Sequence, residues 1–238
     1  MNLDTSRRSV AEFIGSFALT FIGAGSIMAT GGYLGQNGDL FNLVAIALAH
    51  GVTLAVFISA FGHISGGHFN PAVTLGFLVT RRISGRLAGF YWVSQFAGGI
   101  AAAACLRLVM DDRVADGFNL GAPALSPMTS VGEGFALEVI MTFFLVLVVF
   151  ATAVDPKGAF KMIAGFAIGL TVTVDILIGG PLTGAAMNPQ RAFGPELLSW
   201  TWTDAWIYYL APAVGAVIAA LLYHHLFLGA KHDPTAED

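Results

Sequence analysis

Apolar residues in this chain gather in long unbroken runs instead of alternating with polar ones. Runs at about 10–30, 41–61, 86–109, 131–153, 160–180 and 204–228 each approach the roughly 20 residues a helix needs to cross a hydrocarbon core of about 30 Å. They predict six spans. Two further apolar stretches are too short to cross. Asn70 to Thr80 reaches only about 15 Å as helix, and Asn188 to Trp200 is of similar length. Such a segment attains the midplane and must turn back. The predicted fold class is therefore an all-α membrane protein with six transmembrane helices and two re-entrant half-helices.

The two short stretches start alike, on Asn70-Pro71-Ala72 and Asn188-Pro189-Gln190, 118 positions apart. Proline suits the first helical position because its missing N–H would find no partner there, and the preceding asparagine can cap the helix through its side-chain oxygen. That leaves the amide NH₂ free to point into a cavity. Other residues repeat at nearly the same offset. Tyr91, Trp92, Gln95 and Gly98 answer Tyr208, Tyr209, Pro212 and Gly215 at 117, and Glu12 answers Glu138 less tightly. Three crossings separate equivalent points, so the second copy enters from the opposite face and the repeats are inverted. The first repeat is placed at 1–115, with spans one to three and half-helix 70–80. The second is placed at 116–238, with spans four to six and half-helix 188–200. Small residues at helical spacing, Gly165 and Gly169 or Ala97 to Ala104, would let these helices pack closely.

Composition agrees: 56% of residues are hydrophobic, 11% are charged, and the mean hydropathy is +0.75, which excludes an ordinary soluble domain. Basic residues mark one side. Arg7, Arg8, Arg81, Arg82, Arg86, Lys157, Lys161 and Lys231 fall together, whereas the 110–130 loop carries Asp111, Asp112 and Asp116 with only Arg113. That bias puts both termini in the cytoplasm, and the plasma (cell inner) membrane is the expected location. A net charge of −4 without a basic patch gives no reason to expect nucleic acid as a partner, and Cys105 is the lone cysteine.

Irregular backbone at membrane depth is tolerated where protein buries it or water wets it. The segments leading into the two asparagines should line an aqueous path, with carbonyls of Gly66, Gly67, His68, Phe69, Gly184 and Ala186 as acceptors. Two helix N-termini then face each other at its midpoint, each equivalent to about +0.5 charge, which repels cations. Neutral hydrogen-bonding molecules remain as the cargo. A water accepting from both Asn70 and Asn188 must donate outward to its neighbours, which interrupts a proton wire. Glu12 and Glu138 are expected to support the irregular loops by accepting from their N–H groups.

The stretches His63 to Thr74 and Gly180 to Pro195 resemble the two signatures of the aquaporins, or major intrinsic proteins, and the resemblance covers the whole chain. It implies a homotetramer in the lipid bilayer with one pore per subunit, passing water or small neutral solutes without a cofactor. It also implies a selectivity filter, which counting from the asparagines places at His50, Ile176, Ala185 and Arg191. That quartet is similar to the filter of plant tonoplast intrinsic proteins, which often pass ammonia or urea as well. Ala192 stands where glycerol facilitators typically have Asp, and Gln190 stands in place of the family's Ala. The alternative reading is a glycerol or urea facilitator with secondary water permeability.

Blander readings compete at several positions. His50 could be a packed histidine, but it lies twenty residues before Asn70, which favours the pore. His63 and His68 lack a third metal ligand and read as loop-stabilising. Arg191 could simply neutralise Glu196. Trp92, Trp206 and Tyr223 read as interfacial anchors, while Asp175 has no evident role. A secondary transporter would need ionisable residues near the midplane, and no base and nucleophile can be assembled for an enzyme.

Overall fold

The structure, a computed structural model, describes residues 3–34, 40–157 and 163–228. Lys161 and Lys231, two of the basic residues used to orient the chain, lie outside the described residues. Among the described residues, six helices are long and apolar enough to cross a membrane. They are built on α1 (Leu3–Met28), α2 (Leu40–Ser65), α4 (Gly85–Val109), α6 (Val131–Val149), α7 (Ala164–Thr183) and α9 (Ile207–Tyr223). Single π-helical turns extend α1, α6 and α9 at Ala29–Tyr33, Phe150–Val154 and His224–Leu228. The half-helices are α3 (Pro71–Val79) and α8 (Pro189–Ser199). The protein is thus an integral multi-pass membrane protein with two re-entrant segments.

Helix α1 begins earlier than the apolar run suggests, because Asp4 and Arg8 pair across one turn at 2.8 Å and carry the helix beyond the hydrocarbon. The acidic 110–130 connection is partly structured. It contains a short helix α5 (Asp112–Gly117), capped by the Asp111 side chain, and an ion pair between Arg107 and Asp116.

The spans pack in the ring order α4, α1, α2, α7, α6, α9. The half-helices cross between the two halves, α8 packing on α4 and α3 on α9, so they bridge the ends of the ring. Glycines set the closest approaches. A Cβ on Gly98 would stand 2.6 Å from the Phe13 carbonyl, and one on Gly215 would stand 2.3 Å from the equivalent Val139 carbonyl, so α4 meets α1 as α9 meets α6. In α4 the buried small residues are Ala88, Gly98, Gly99, Ala102 and Ala103, whereas Ala97 is exposed. The main apolar core lies around α3 and the loop leading into α8, and includes Leu54, Val73, Leu145 and Val172.

Trp92 corrects one expectation. Its indole N–H donates to the carbonyl of Pro71 at 3.1 Å, which holds the ring beside the start of α3 and not at a membrane interface. Trp206 lies at the start of α9, half exposed, and Tyr223 at its end bonds to Asp155.

Candidate functional site

Both half-helices open on the same construction. Asn70 and Asn188 have extended backbones, with φ of −155° and −150°, and each is followed by a proline. Their side-chain oxygens accept from the backbone N–H groups of Ala72 at 2.8 Å and Gln190 at 3.2 Å, as helix caps do. Their amide nitrogens cross the junction. Asn70 Nδ2 donates to the Met187 carbonyl and Asn188 Nδ2 to the Phe69 carbonyl, both at 2.9 Å. The amide is therefore not wholly free, as the sequence suggests; one of its two N–H bonds is used and one remains.

The crossed bonds depend on unusual backbone immediately before each asparagine. Phe69 has φ +46° and Met187 φ +50°, in the left-handed region that non-glycine residues rarely occupy. Two buried carboxylates hold them there. Glu12 accepts from the Ser65 hydroxyl, the His68 and Phe69 N–H groups and the Gln95 amide, at 2.6 to 3.0 Å. Glu138 accepts from the Thr183 hydroxyl and the Ala186 and Met187 N–H groups at 2.7 to 2.9 Å. Each carboxylate thus satisfies donors that would otherwise be orphaned in a dry interior. Tyr91 and Tyr208 repeat the symmetry, donating their hydroxyls to the carbonyls of Ser65 and Thr183.

A cavity of about 40 Å³ runs past both asparagines, room for about three waters. Gly66, Gly67, His68 and Ala186 line it on the loop side, facing an apolar wall that includes Leu54, Val149, Ile168 and Val172. Phe69 and Gly184 do not belong to this lining. The Phe69 carbonyl accepts from two amides, of Asn188 and Gln190, which occupies both lone pairs. Gly184, at φ +80°, closes the end of α7 against Pro123.

His50, Ile176, Ala185 and Arg191 all line this cavity. His50 Nδ1 bonds to the Ile46 carbonyl at 2.9 Å, which fixes the proton on Nδ1 and leaves Nε2 as an acceptor. Arg191 uses it, with Nε at 3.4 Å and Nη2 at 3.3 Å, and donates from Nη1 to the Gly121 carbonyl at 3.0 Å. Glu196 is not its partner; that carboxylate accepts from Tyr209. Arg191 is 1% exposed, so its donors are aimed by neighbours and not by bulk water.

Several contributors escape sequence reasoning. Gly121 lies in an outwardly unremarkable loop, at φ +73° and pressed against Ala24, so a side chain there would clash. Gly23 leaves room for the His50 ring, since a Cβ would stand 2.4 Å from Nε2. Gln190 turns away from the cavity: its amide donates to Phe69 and its oxygen accepts from Thr20. His68 bonds to Thr74 and packs on Phe77, while His63 is exposed at the end of α2. Asp175 is buried with its Oδ2 unpartnered and outside the cavity lining, and nothing in the structure explains it.

The chain resembles known proteins over nearly its whole length. It is 45% identical over 233 residues to the probable aquaporin TIP-type alpha of Phaseolus vulgaris, covering 97% of this chain and 89% of that one. It is 43% identical over 239 residues to the probable aquaporin TIP3-2 of Arabidopsis thaliana, covering 97% and 87%. Among solved structures, the aquaglyceroporin from Plasmodium falciparum superposes with a TM-score of 0.81 at 25% identity, covering 93% of this chain and 96% of that one. The description of the Major intrinsic protein family matches residues 1–223. Fold, signatures and relatives agree, and the chain belongs to the major intrinsic protein family.

Proposed function

We propose that this chain is a passive water channel that also passes ammonia and excludes protons and ions. The observation that carries this reading is the crossed pair of asparagine bonds. Each amide is fixed by the opposite loop, so its remaining N–H is held in place where the cavity passes. A water accepting from both asparagines has its hydrogens turned toward the two exits. The columns on either side are then polarised oppositely, and a proton cannot hop through. The two helix N-termini at the same level, each worth about +0.5 charge, oppose cations.

Above that point, we assign selectivity to His50, Ile176, Ala185 and Arg191. Two of the four are apolar, so the aperture is bounded mainly by His50 and Arg191 and leaves an aliphatic wall for the non-bonding face of ammonia. The same wall favours the second reading, a glycerol or urea facilitator. Ala192, where such facilitators typically carry Asp, argues against it as the main activity. Gly66, Gly67, His68 and Ala186 are assigned as the carbonyl ladder, and Glu12 and Glu138 as loop supports.

We assign the assembly as a homotetramer with one pore per subunit. The termini are assigned to the cytoplasmic side on the basic residues that include Arg7, Arg8, Arg81 and Arg82. The relatives are plant TIP-type aquaporins, so a plasma-membrane location gains no support from them. The repeat boundary between 115 and 116 falls inside α5, in the connection between the halves.

Stopped-flow light scattering on reconstituted vesicles tests the function. Osmotic water flux should exceed that of empty vesicles without collapsing an imposed pH gradient. A proton leak that keeps pace with water flux overturns the assignment. Glycerol flux exceeding water flux would establish the facilitator reading instead.

A further inference from the structure

The two halves of the junction are built alike but not held alike. Met187 has its N–H on Glu138 and its carbonyl on the amide of Asn70. Phe69 has the equivalent pair, its N–H on Glu12 and its carbonyl on Asn188, and a further hold besides. The amide of Gln190, a residue outside the cavity lining, reaches the same carbonyl at 3.2 Å. The Gln190 oxygen is fixed in turn by the Thr20 hydroxyl of α1 at 3.0 Å, and both side chains are fully buried.

Three residues depart from the repeat together to make this hold. The spacing of 126 from Glu12 to Glu138 takes Thr20 to Val146, the spacing of 117 from Tyr91 to Tyr208 takes Gly99 to Ala216, and the spacing of 118 between the asparagines takes Gln190 back to Ala72. A hydroxyl, a glycine and an amide thus stand where the other half has three apolar side chains. Gly99 supplies the room, since a Cβ there would stand 2.6 Å from Gln190 Oε1. Thr20 supplies the donor without which that buried oxygen would be unpaired.

The hold bears on Asn188, because a carbonyl that can turn cannot aim the amide bonded to it. Phe69 sits at φ +46°, a backbone conformation that non-glycine residues keep only when their surroundings impose it. We propose that Gln190 is a positioning residue for Asn188. Braced by Thr20, it fixes the Phe69 carbonyl on the side away from the cavity, and with it the direction of the Asn188 N–H that meets passing water. Its effect on flux rests on the channel assignment; its hold on the amide does not.

Vesicle flux measurements, together with solid-state NMR of the isotope-labelled full chain in lipid resolving the side-chain amides of Asn70 and Asn188, test the proposal. Gln190→Met keeps the bulk and loses the donor. The Asn188 resonance should move while that of Asn70 stays. The ratio of proton to water flux, which does not depend on how many channels fold, should rise about fivefold, the worth of one hydrogen bond. Thr20→Val should shift both readouts in the same direction, and Thr20→Ser, which keeps the hydroxyl, should match the native chain. An unchanged Asn188 resonance or an unchanged flux ratio in Gln190→Met or Thr20→Val overturns the proposal. A native chain that leaks protons as fast as water overturns the channel assignment instead, and the resonances still decide whether Gln190 aims Asn188.

Discussion

Arg191 and His50 are joined by two long hydrogen bonds, from Nε at 3.4 Å and Nη2 at 3.3 Å, to a single imidazole nitrogen. The ring is oriented by Ile46 and the guanidinium by Gly121. Each partner is therefore aimed from its far end, and the pair forms one wall of the cavity without an opposing carboxylate.

Removing the charge from that wall is the most direct test of it. Arg191→Val should raise both ion leak and ammonia flux in vesicles by about tenfold, equivalent to about 1.4 kcal/mol in the barrier. Unchanged leak and unchanged selectivity would place the filter elsewhere.

The breadth of the aperture has its own test. A double change, His50→Phe with Ile176→His, puts bulk and a polar ring where the native chain has neither. Ammonia flux should fall relative to water flux. If the native chain already excludes ammonia as strictly as the double variant, it is a plain water channel.

Gly23→Ala perturbs His50 without touching the cavity directly. The added methyl would stand 2.4 Å from Nε2, so the ring must shift, disturbing its bonds with Arg191, and water flux should drop. Gly117→Ala is the control, because a Cβ there meets nothing within 4 Å. Equal fluxes for the two variants would show that the ring position does not matter.

The loop supports should be expensive to alter. Glu138→Gln replaces one accepting oxygen with an NH₂ that faces an N–H or hydroxyl donor, and it removes the charge from the remaining bonds. Charge-assisted bonds are worth about 1.5–3 kcal/mol each, so thermal unfolding in detergent should occur several degrees lower. Water flux should fall as well, since Met187 is the acceptor for Asn70.

Mercurials should leave the channel open. Cys105 is the lone cysteine, half-buried in α4 and outside the cavity lining. Inhibition of water flux that disappears in Cys105→Ser would contradict that placement.

The sequence discloses the frame well because its signals are local. Length and hydropathy mark the spans, and proline at the first helical position marks α3 and α8 to within a residue. The capping role of Asn70 and Asn188 is legible for the same reason. What escapes is whatever depends on the chain meeting itself. The amide of Asn70 ends on the Met187 carbonyl 117 positions away; the repeat offset brings the two loops together but does not say which carbonyl takes the amide. The bonding of Arg191 to Gly121 needs a left-handed glycine in an acidic loop. Trp92 reads as an interfacial anchor because tryptophan near a span end usually is one, yet its indole N–H is drawn to the Pro71 carbonyl in the first turn of α3.

The crossed asparagine bonds also bear on how such a protein could have arisen and how it can be divided. Half of the chain alone holds a donor whose acceptor is missing and an acceptor whose donor is missing. Two copies of one half, related by a two-fold axis in the membrane, would supply both. The pore is in this sense a dimer written on one polypeptide. Cutting the chain between Ala122 and Ser130, in the connection between the two repeats, should yield fragments that each fail to conduct and that recover conduction when made together.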